Sequence, residues 1–285
     1  MRRDREGGCL EQIILALPAS VTTELEVRAR KDGSSVEGLI TKAVAEFLET
    51  PLHTFFQVST SRSLVAGQYT GAITCAKLLE HGDFGLGTFA GLAGEMVIVD
   101  GHAYRVEGSG RISQAEPSDE APFATVTRLD PNVNETLEGS DSFGNLKAQL
   151  DRFRRTDNLF YAIRIDGKFS FVKTRAVSAP KPGATLLEAA QQQHEFEFRD
   201  TDGTLVGIYS PAFSSAISVP GYHIHYISRD RTQGGHLLEI RVKSARVQVQ
   251  ELEDFHLALP ENEGFLKADL SRDTSGDLSQ AESSH

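Results

Sequence analysis

Residues 221–236 read Gly-Tyr-His-Ile-His-Tyr-Ile-Ser-Arg-Asp-Arg-Thr-Gln-Gly-Gly-His, and the period of this stretch decides what surrounds it. Its β-branched and aromatic residues predict a strand, in which residues i and i+2 share a face. His223 and His225 then project together, roughly 7 Å apart along the strand. The polar run Ser228 to Gly235 predicts a hairpin connection, and the returning strand brings His236 beside the pair. Three neutral imidazoles with an open coordination position are a common way to hold a catalytic Zn²⁺ or similar divalent cation. A metalloenzyme is the leading expectation. His53, His81, His102, His194, His256 and His285 are scattered and are read as structural or solvated.

At 285 residues the chain can bury a sizeable core in one or two domains, with room for a small appendage. It is 39% apolar and 24% charged, a globular rather than disordered balance. A net charge of −11 opposes a general role on nucleic acid or anionic membranes, so an anionic ligand would need local cations. Cys9 and Cys75 are too few for a disulfide framework or a thiolate metal site. No signal-peptide pattern and no apolar run of membrane-spanning length is seen, and a cytoplasmic location is expected.

Outward from the hairpin, the first fifty residues read differently from the rest. Ile13, Leu15 and Leu17 alternate up to Pro18, Ser20 can cap a helix, and Asp32-Gly33 breaks it. Ser34 or Ser35 then starts a second helix, with Val36, Leu39, Ile40, Ala43, Val44, Phe47 and Leu48 at helical spacing. Strand, helix, turn, helix over 1–50 resembles the ribbon-helix-helix module of small bacterial repressors, whose strand pairs with a second copy and reads bases. Here Gln12, Ile14 and Ala16 would face outward, and seven basic residues stand against nine acidic ones over 1–50. That balance is wrong for a phosphate surface, so the segment is read as a dimerising appendage and DNA binding is not expected. A homodimer is the expected assembly.

From Phe55 onward apolar strands alternate with a few helices. Helices are predicted over Gly71–Glu80, Asn145–Phe153 and Ala184–His194. Hairpins are predicted around Asp100-Gly101, within Glu95–Val106, and around Asp166-Gly167, within Phe160–Val177. Residues 195–250 return to strands, the strand pattern fades after Phe255, and 271–285 are rich in Ser and Asp. The expected class is α+β, with mixed or antiparallel sheets in a two-part barrel-like core over 51–285.

Several of these segments resemble, in order, the α-acetolactate decarboxylase family. They are Gly82-Asp-Phe-Gly-Leu-Gly-Thr-Phe89, Gly91-Leu-Ala-Gly-Glu-Met-Val-Ile-Val-Asp-Gly101 and Tyr161-Ala-Ile-Arg-Ile-Asp-Gly167. Lys173-Thr-Arg175, the hairpin ending in His236 and Leu259-Pro-Glu-Asn-Glu-Gly-Phe-Leu266 continue the series. The resemblance runs from about residue 52 to the C-terminus and implies a carboxy-lyase that converts 2-acetolactate to acetoin and CO₂. It also implies a metal, usually zinc, on His223, His225 and His236. By motif position it makes Glu95, Glu282 and Arg175 catalytic, with the C-terminal tail folding over the site. Arg164 is the reserve cation and Thr88 a pocket-lining residue. Ala93 departs from the acidic residue the family commonly carries before Gly94.

The residues themselves leave a bland reading open for each. Glu95 could be a strand-start acid in a local ion pair, although an unpartnered acid leading an apolar strand is costly to bury. Glu282 could be a solvated residue of a frayed tail, and Arg175 an ordinary surface side chain. Two other functions stand beside the decarboxylase. A cupin-like metal oxygenase or isomerase also uses His-x-His, but usually with a Glu where this chain has Arg229. An acetolactate-sensing regulator would need lost metal ligands or a basic N-terminal face.

Overall fold

The computed structural model describes residues 14–32, 35–48, 52–181 and 183–282. Contacts divide the chain into a small unit, Met1–Leu52, and a large one, His53–His285. The small unit contains α1 (Ala19–Asp32) and α2 (Val36–Phe47). Pro18 O accepts from the amides of Val21 and Thr22 at the start of α1, and Ser35 Oγ caps α2 by accepting from Gly38 N–H at 2.9 Å. Residues 14–18 form no strand here. A ladder needs a partner edge, and this stretch finds none among the described residues. Ile13 lies outside the described residues, as do Cys9, Gln12 and His285.

In the large unit the first strands are β1 (Thr54–Val58), β2 (Ile73–Thr74), β3 (Phe84–Thr88), β4 (Glu95–Val99) and β5 (His102–Val106). Then come β6 (Ile112–Gln114), β7 (Glu120–Ala121), β8 (Phe123–Thr127) and β9 (Val133–Leu137). The long strands β10 (Phe160–Ala176), β11 (His194–Ser210), β12 (Gly221–Ser228) and β13 (Gly234–Leu252) follow, with β14 (Asp254–Ala258) last. Helices α3 (Ser61–Val65), α4 (Cys75–His81), α5 (Phe143–Leu150), α6 (Leu186–Ala190), α7 (Glu263–Lys267) and α8 (Ser275–Glu282) fill the connections.

Seven strands make one sheet in the order β14-β1-β8-β3-β4-β5-β6, antiparallel except for β1 beside β14. The other large sheet runs β10-β11-β12-β13-β9 and nearly closes, because β10 also pairs with β13. The β2–β7 pair stands apart. The class is thus α+β as expected, but only one of the two large sheets curls toward a barrel.

Strand alternation explains the packing. Phe55, Val97 and Val99 face Phe160, Val206 and Ile208 of the other sheet, while their neighbours Phe56, Met96 and Ile98 face α4 through Cys75 and Leu78. Both faces of these strands are buried, so they read as unbroken apolar runs. Tyr161, Ile163, Ile165, Ile224 and Tyr226 fill the curled sheet's interior, closed by Leu146 and Leu150 of α5.

The expected elements survive with instructive shifts. Asp100 and Gly101 turn the β4–β5 hairpin with φ of 53° and 75°, the left-handed pair that a tight hairpin needs. Asp166-Gly167 makes no turn; β10 runs straight through it. A Cβ on Gly167 would meet Ala245 Cβ and Ser244 O at 2.6 Å, so this glycine serves close strand approach instead. The helix expected from Gly71 starts only at Cys75, capped by Thr74, because Ile73 and Thr74 are taken by β2. The helix expected over Ala184–His194 shrinks to α6, and that over Asn145–Phe153 becomes α5 with a 3₁₀ turn. A strand, β14, and a helix, α8, occupy the region where pattern faded.

Candidate metal centre

Strand register assembles the site. On β12, Ile224 and Tyr226 point into the curled sheet's interior, which turns His223 and His225 to the opposite face. The hairpin pairs His225 with His236, and β13 pairs His236 with Arg175 of β10. One row across three strands therefore carries Arg175, His236 and His225. Gly235 permits the approach: its φ is 130°, and a Cβ there would come within 2.5 Å of Arg175 O. The imidazole centroids lie 5.0, 5.1 and 5.4 Å apart, and one nitrogen from each ring falls within 4.8 Å of the others.

The seven-stranded sheet contributes the next wall. Thr88 and Glu95 face one another across β3 and β4. Gly94, with φ of 117°, leads into Glu95, and its carbonyl accepts from Thr88 Oγ1 at 2.9 Å. Glu95 Oε2 then sits 3.7 Å from His225 Nε2. His225 Nδ1 lies 2.8 Å from Met96 O, a contact that makes Nδ1 the protonated donor and leaves Nε2 as a lone-pair donor.

Helix α8 supplies the last carboxylate. Leu278 and Ala281 anchor it against Leu64, Val65, Leu186 and Ala189 of α3 and α6. Glu282 Oε2 is thereby held 3.7 Å from His223 Nε2, 3.6 Å from His236 Nδ1 and 3.5 Å from Arg175 Nη2. The tail, for which a solvated reading stood beside one that folds over the site, is a docked helix. Thr88, Glu95, Arg175, His223, His236 and Glu282 line one cavity, whose remaining wall is apolar.

Burial sets the electrostatics. It pushes His223 and His225 down to about 3, and His236 well below its ordinary value, with Arg175 and neighbouring imidazoles adding to the effect. All three rings are consequently neutral, the form that binds a metal. Burial also raises Glu95 to about 7, opposed by Arg175 and reinforced by Glu282, and it raises Glu282 against the pull of Arg175. His225 Nε2 and Glu282 Oε2 are enclosed without a hydrogen-bond partner. Buried acceptors left without a hydrogen bond are costly unless a cation satisfies them. The residues fit a divalent metal.

Of the residues singled out in sequence, only Arg164 is not on the cavity wall and not in contact with the cluster; His225 is reached through its partners. Arg164 is occupied by Asp100 and Asp166 at 2.6 and 2.7 Å, so it is no reserve for the site. Sequence reasoning missed the Met96 carbonyl and Gln193, whose Oε1 accepts from Arg175 Nη1 at 2.7 Å. Nothing in the run Gln191-Gln192-Gln193 marks which amide has a partner.

Comparison with known proteins gives the family. The family model described as alpha-acetolactate decarboxylase matches residues 55–272. The chain belongs to the alpha-acetolactate decarboxylase family. Among decarboxylases of this name, that of Brevibacillus brevis is 36% identical over 234 residues, covering 82% of each chain. That of Methanosarcina mazei is 36% identical over 250 residues, covering 87% of this chain and 86% of its own. The crystal structure of alpha-acetolactate decarboxylase from Bacillus subtilis strain 168 superposes with a TM-score of 0.79 at 33% identity, over 81% of this chain and all of the other. The cupin-like alternative gives way to this match. Helix α8 lies beyond the span matched by the family model, and so does the small N-terminal unit.

Proposed function

We propose that this enzyme decarboxylates 2-acetolactate to acetoin and CO₂ at a divalent cation, zinc in the first instance, held by His223, His225 and His236. The observation that carries the reading is the convergence of three neutral imidazoles, one guanidinium and two carboxyls on a single apolar-walled cavity. When bound, a divalent ion supplies Lewis acidity toward the hydroxyl and carbonyl oxygens of a 2-hydroxy-3-keto acid.

The side chains divide the remaining work. Arg175 offers an always-charged fork suited to the substrate carboxylate and so fixes which bond breaks. As CO₂ leaves, its electron pair moves toward the neighbouring carbonyl, and a proton must then return to carbon. Glu95 and Glu282 are the two candidate donors, enclosed and close enough that both ionised forms together are disfavoured. Leu64, Leu92, Phe123, Val177 and Val219 exclude water, which strengthens each of these interactions. Thr88 orders the turn that presents Glu95.

A second copy of the chain is the proposed partner of the small unit. Only Ala29 and Ala45 are buried among its described residues, whereas Ile14 and Phe47 are 91% and 86% exposed. Two short helices with so little core are marginal alone. No helix among the described residues is long and apolar enough to cross a membrane, and we take the enzyme to be cytoplasmic, in keeping with the free thiol of Cys75.

The test is acetoin and CO₂ release from racemic 2-acetolactate, with metal content measured on the same sample and on His225→Ala. Turnover that vanishes on chelation, returns with Zn²⁺ and is absent with the metal from His225→Ala supports the reading. A metal-loaded protein that yields no acetoin, or a His225→Ala variant that keeps metal and rate, sinks it.

A further inference from the structure

Arg175 is treated unlike two other enclosed guanidinium groups of this chain. Arg154, with a side chain 7% exposed against 6% for Arg175, is clasped by Asp151 and Asp157. Arg164 is likewise held between Asp100 and Asp166. The short contact of Arg175 is to a neutral amide instead, the 2.7 Å bond from Nη1 to Gln193 Oε1. Its Nε is buried with no partner. Glu282 stands 3.5 Å from Nη2, yet its Oε2 makes no hydrogen bond.

The sheet also keeps a second acid from the guanidinium. Glu195 lies opposite Arg175 in the β10–β11 ladder, but its carboxylate is bound by Lys173 Nζ at 2.7 Å. Gln193 is two residues earlier, in the turn that leaves α6 just before β11 begins. Its amide N–H donates to Ala190 O at 3.3 Å, and the capping box of Thr185 and Glu188 steadies the helix behind it. The Gln193 side chain thus reaches the guanidinium from an anchored backbone.

We propose that Gln193 is the positioning residue for Arg175: its neutral carbonyl oxygen orients the guanidinium while leaving the positive charge available to the substrate carboxylate. An acid at this position would grip the arginine more firmly and cancel the charge the substrate needs. A small residue would leave the charge but release the geometry. Neutrality and reach are both required, and an amide of this length supplies both.

Given the decarboxylase reading above, the two roles separate in Gln193→Glu and Gln193→Ala, assayed as metal-loaded full-length enzyme. The expected order of affinity for 2-acetolactate is wild type, then Ala, then Glu, with KM in the Glu variant raised about tenfold and kcat moved less. Acetoin lacks the carboxylate, so its inhibition constant should be the same in all three, as should metal content. A purely structural role would disturb acetoin and 2-acetolactate alike. A Glu variant that binds 2-acetolactate as well as wild type overturns the inference.

Calorimetric binding of 2-hydroxyisobutyrate, an unreactive 2-hydroxy acid, tests the same order without turnover. A wild-type enzyme inert toward 2-acetolactate would sink the decarboxylase reading, and the calorimetric order would still decide the role of Gln193. Equal affinity in the three proteins, or no binding by wild type, overturns it.

Discussion

Truncating Leu278 should disarm the site without touching a residue in it. Helix α8 has eight residues, too few to persist in water unaided, and Leu278 and Ala281 are its buried anchors. Leu278 is 2% exposed among Leu64, Leu186 and other apolar groups. Replacing it with Ala removes about 2 kcal/mol of docking free energy, taking the lower part of the range for a buried leucine because the cluster is partly walled by the cavity. That shifts the docked population by a factor of roughly 30 against the free helix. Glu282 departs with the helix, and kcat/KM should fall by up to the same factor. The metal should remain, since its imidazoles sit on β12 and β13, and global unfolding should change little because α8 rests on α3 and α6 rather than on the sheets. Initial acetoin rates, metal content and hydrogen exchange over 275–282 read the three effects separately, and Leu278→Met should recover most of the rate. A wild-type rate from a protein whose α8 amides exchange freely would refute the role of the docked tail. Loss of metal together with rate would refute the claim that the three imidazoles hold it without help.

Two further outcomes test the framework around the site. Gly167→Ala should cost about 1–3 kcal/mol in urea or thermal unfolding, because the new Cβ meets Ala245 and Ser244 where two long strands press together; unchanged stability would mean that β10 passes this point with room to spare. Asp130→Asn should lower stability more in acid than in alkali. The hydrogen bond with Asp130 raises His53 above its ordinary 6.5 against the cost of burial, so its stabilisation is complete below that value and is lost as pH rises through the raised one. The partners are substantially exposed, which limits the effect to less than about 1 kcal/mol. Equal losses at about pH 5.5 and about pH 8 would rule the linkage out.

How far the site could be read in advance follows from the range of the forces that build it. His223 and His225 share a face because a strand alternates, and His236 follows because a short turn must return the chain; both are local facts. Asp-Gly is a weaker sign. At Asp100-Gly101 the glycine supplies a left-handed φ, whereas at Asp166-Gly167 it supplies the absence of a Cβ, and the two demands look identical until the partner strand is in place. The tail shows the same limit. A segment rich in Ser and Asp has no reason to be helical by itself, and α8 exists because two apolar side chains meet a cluster gathered from α3 and α6.

Gln193 lies at the far end of this scale. Its bond to Arg175 depends on the register of β10 against β11, on the turn after α6, and on Lys173 claiming Glu195. None of these is a property of the glutamine. The groups that can be named from sequence are those whose chemistry is intrinsic, such as an imidazole at a metal or a guanidinium at a carboxylate. What determines whether that chemistry is available is the partner each group is denied, and denial is set across strands. Arg164 and Arg175 are alike in kind and stand eleven residues apart on the same strand. Two aspartates clasp the first, whereas the shortest contact of the second is to a neutral amide.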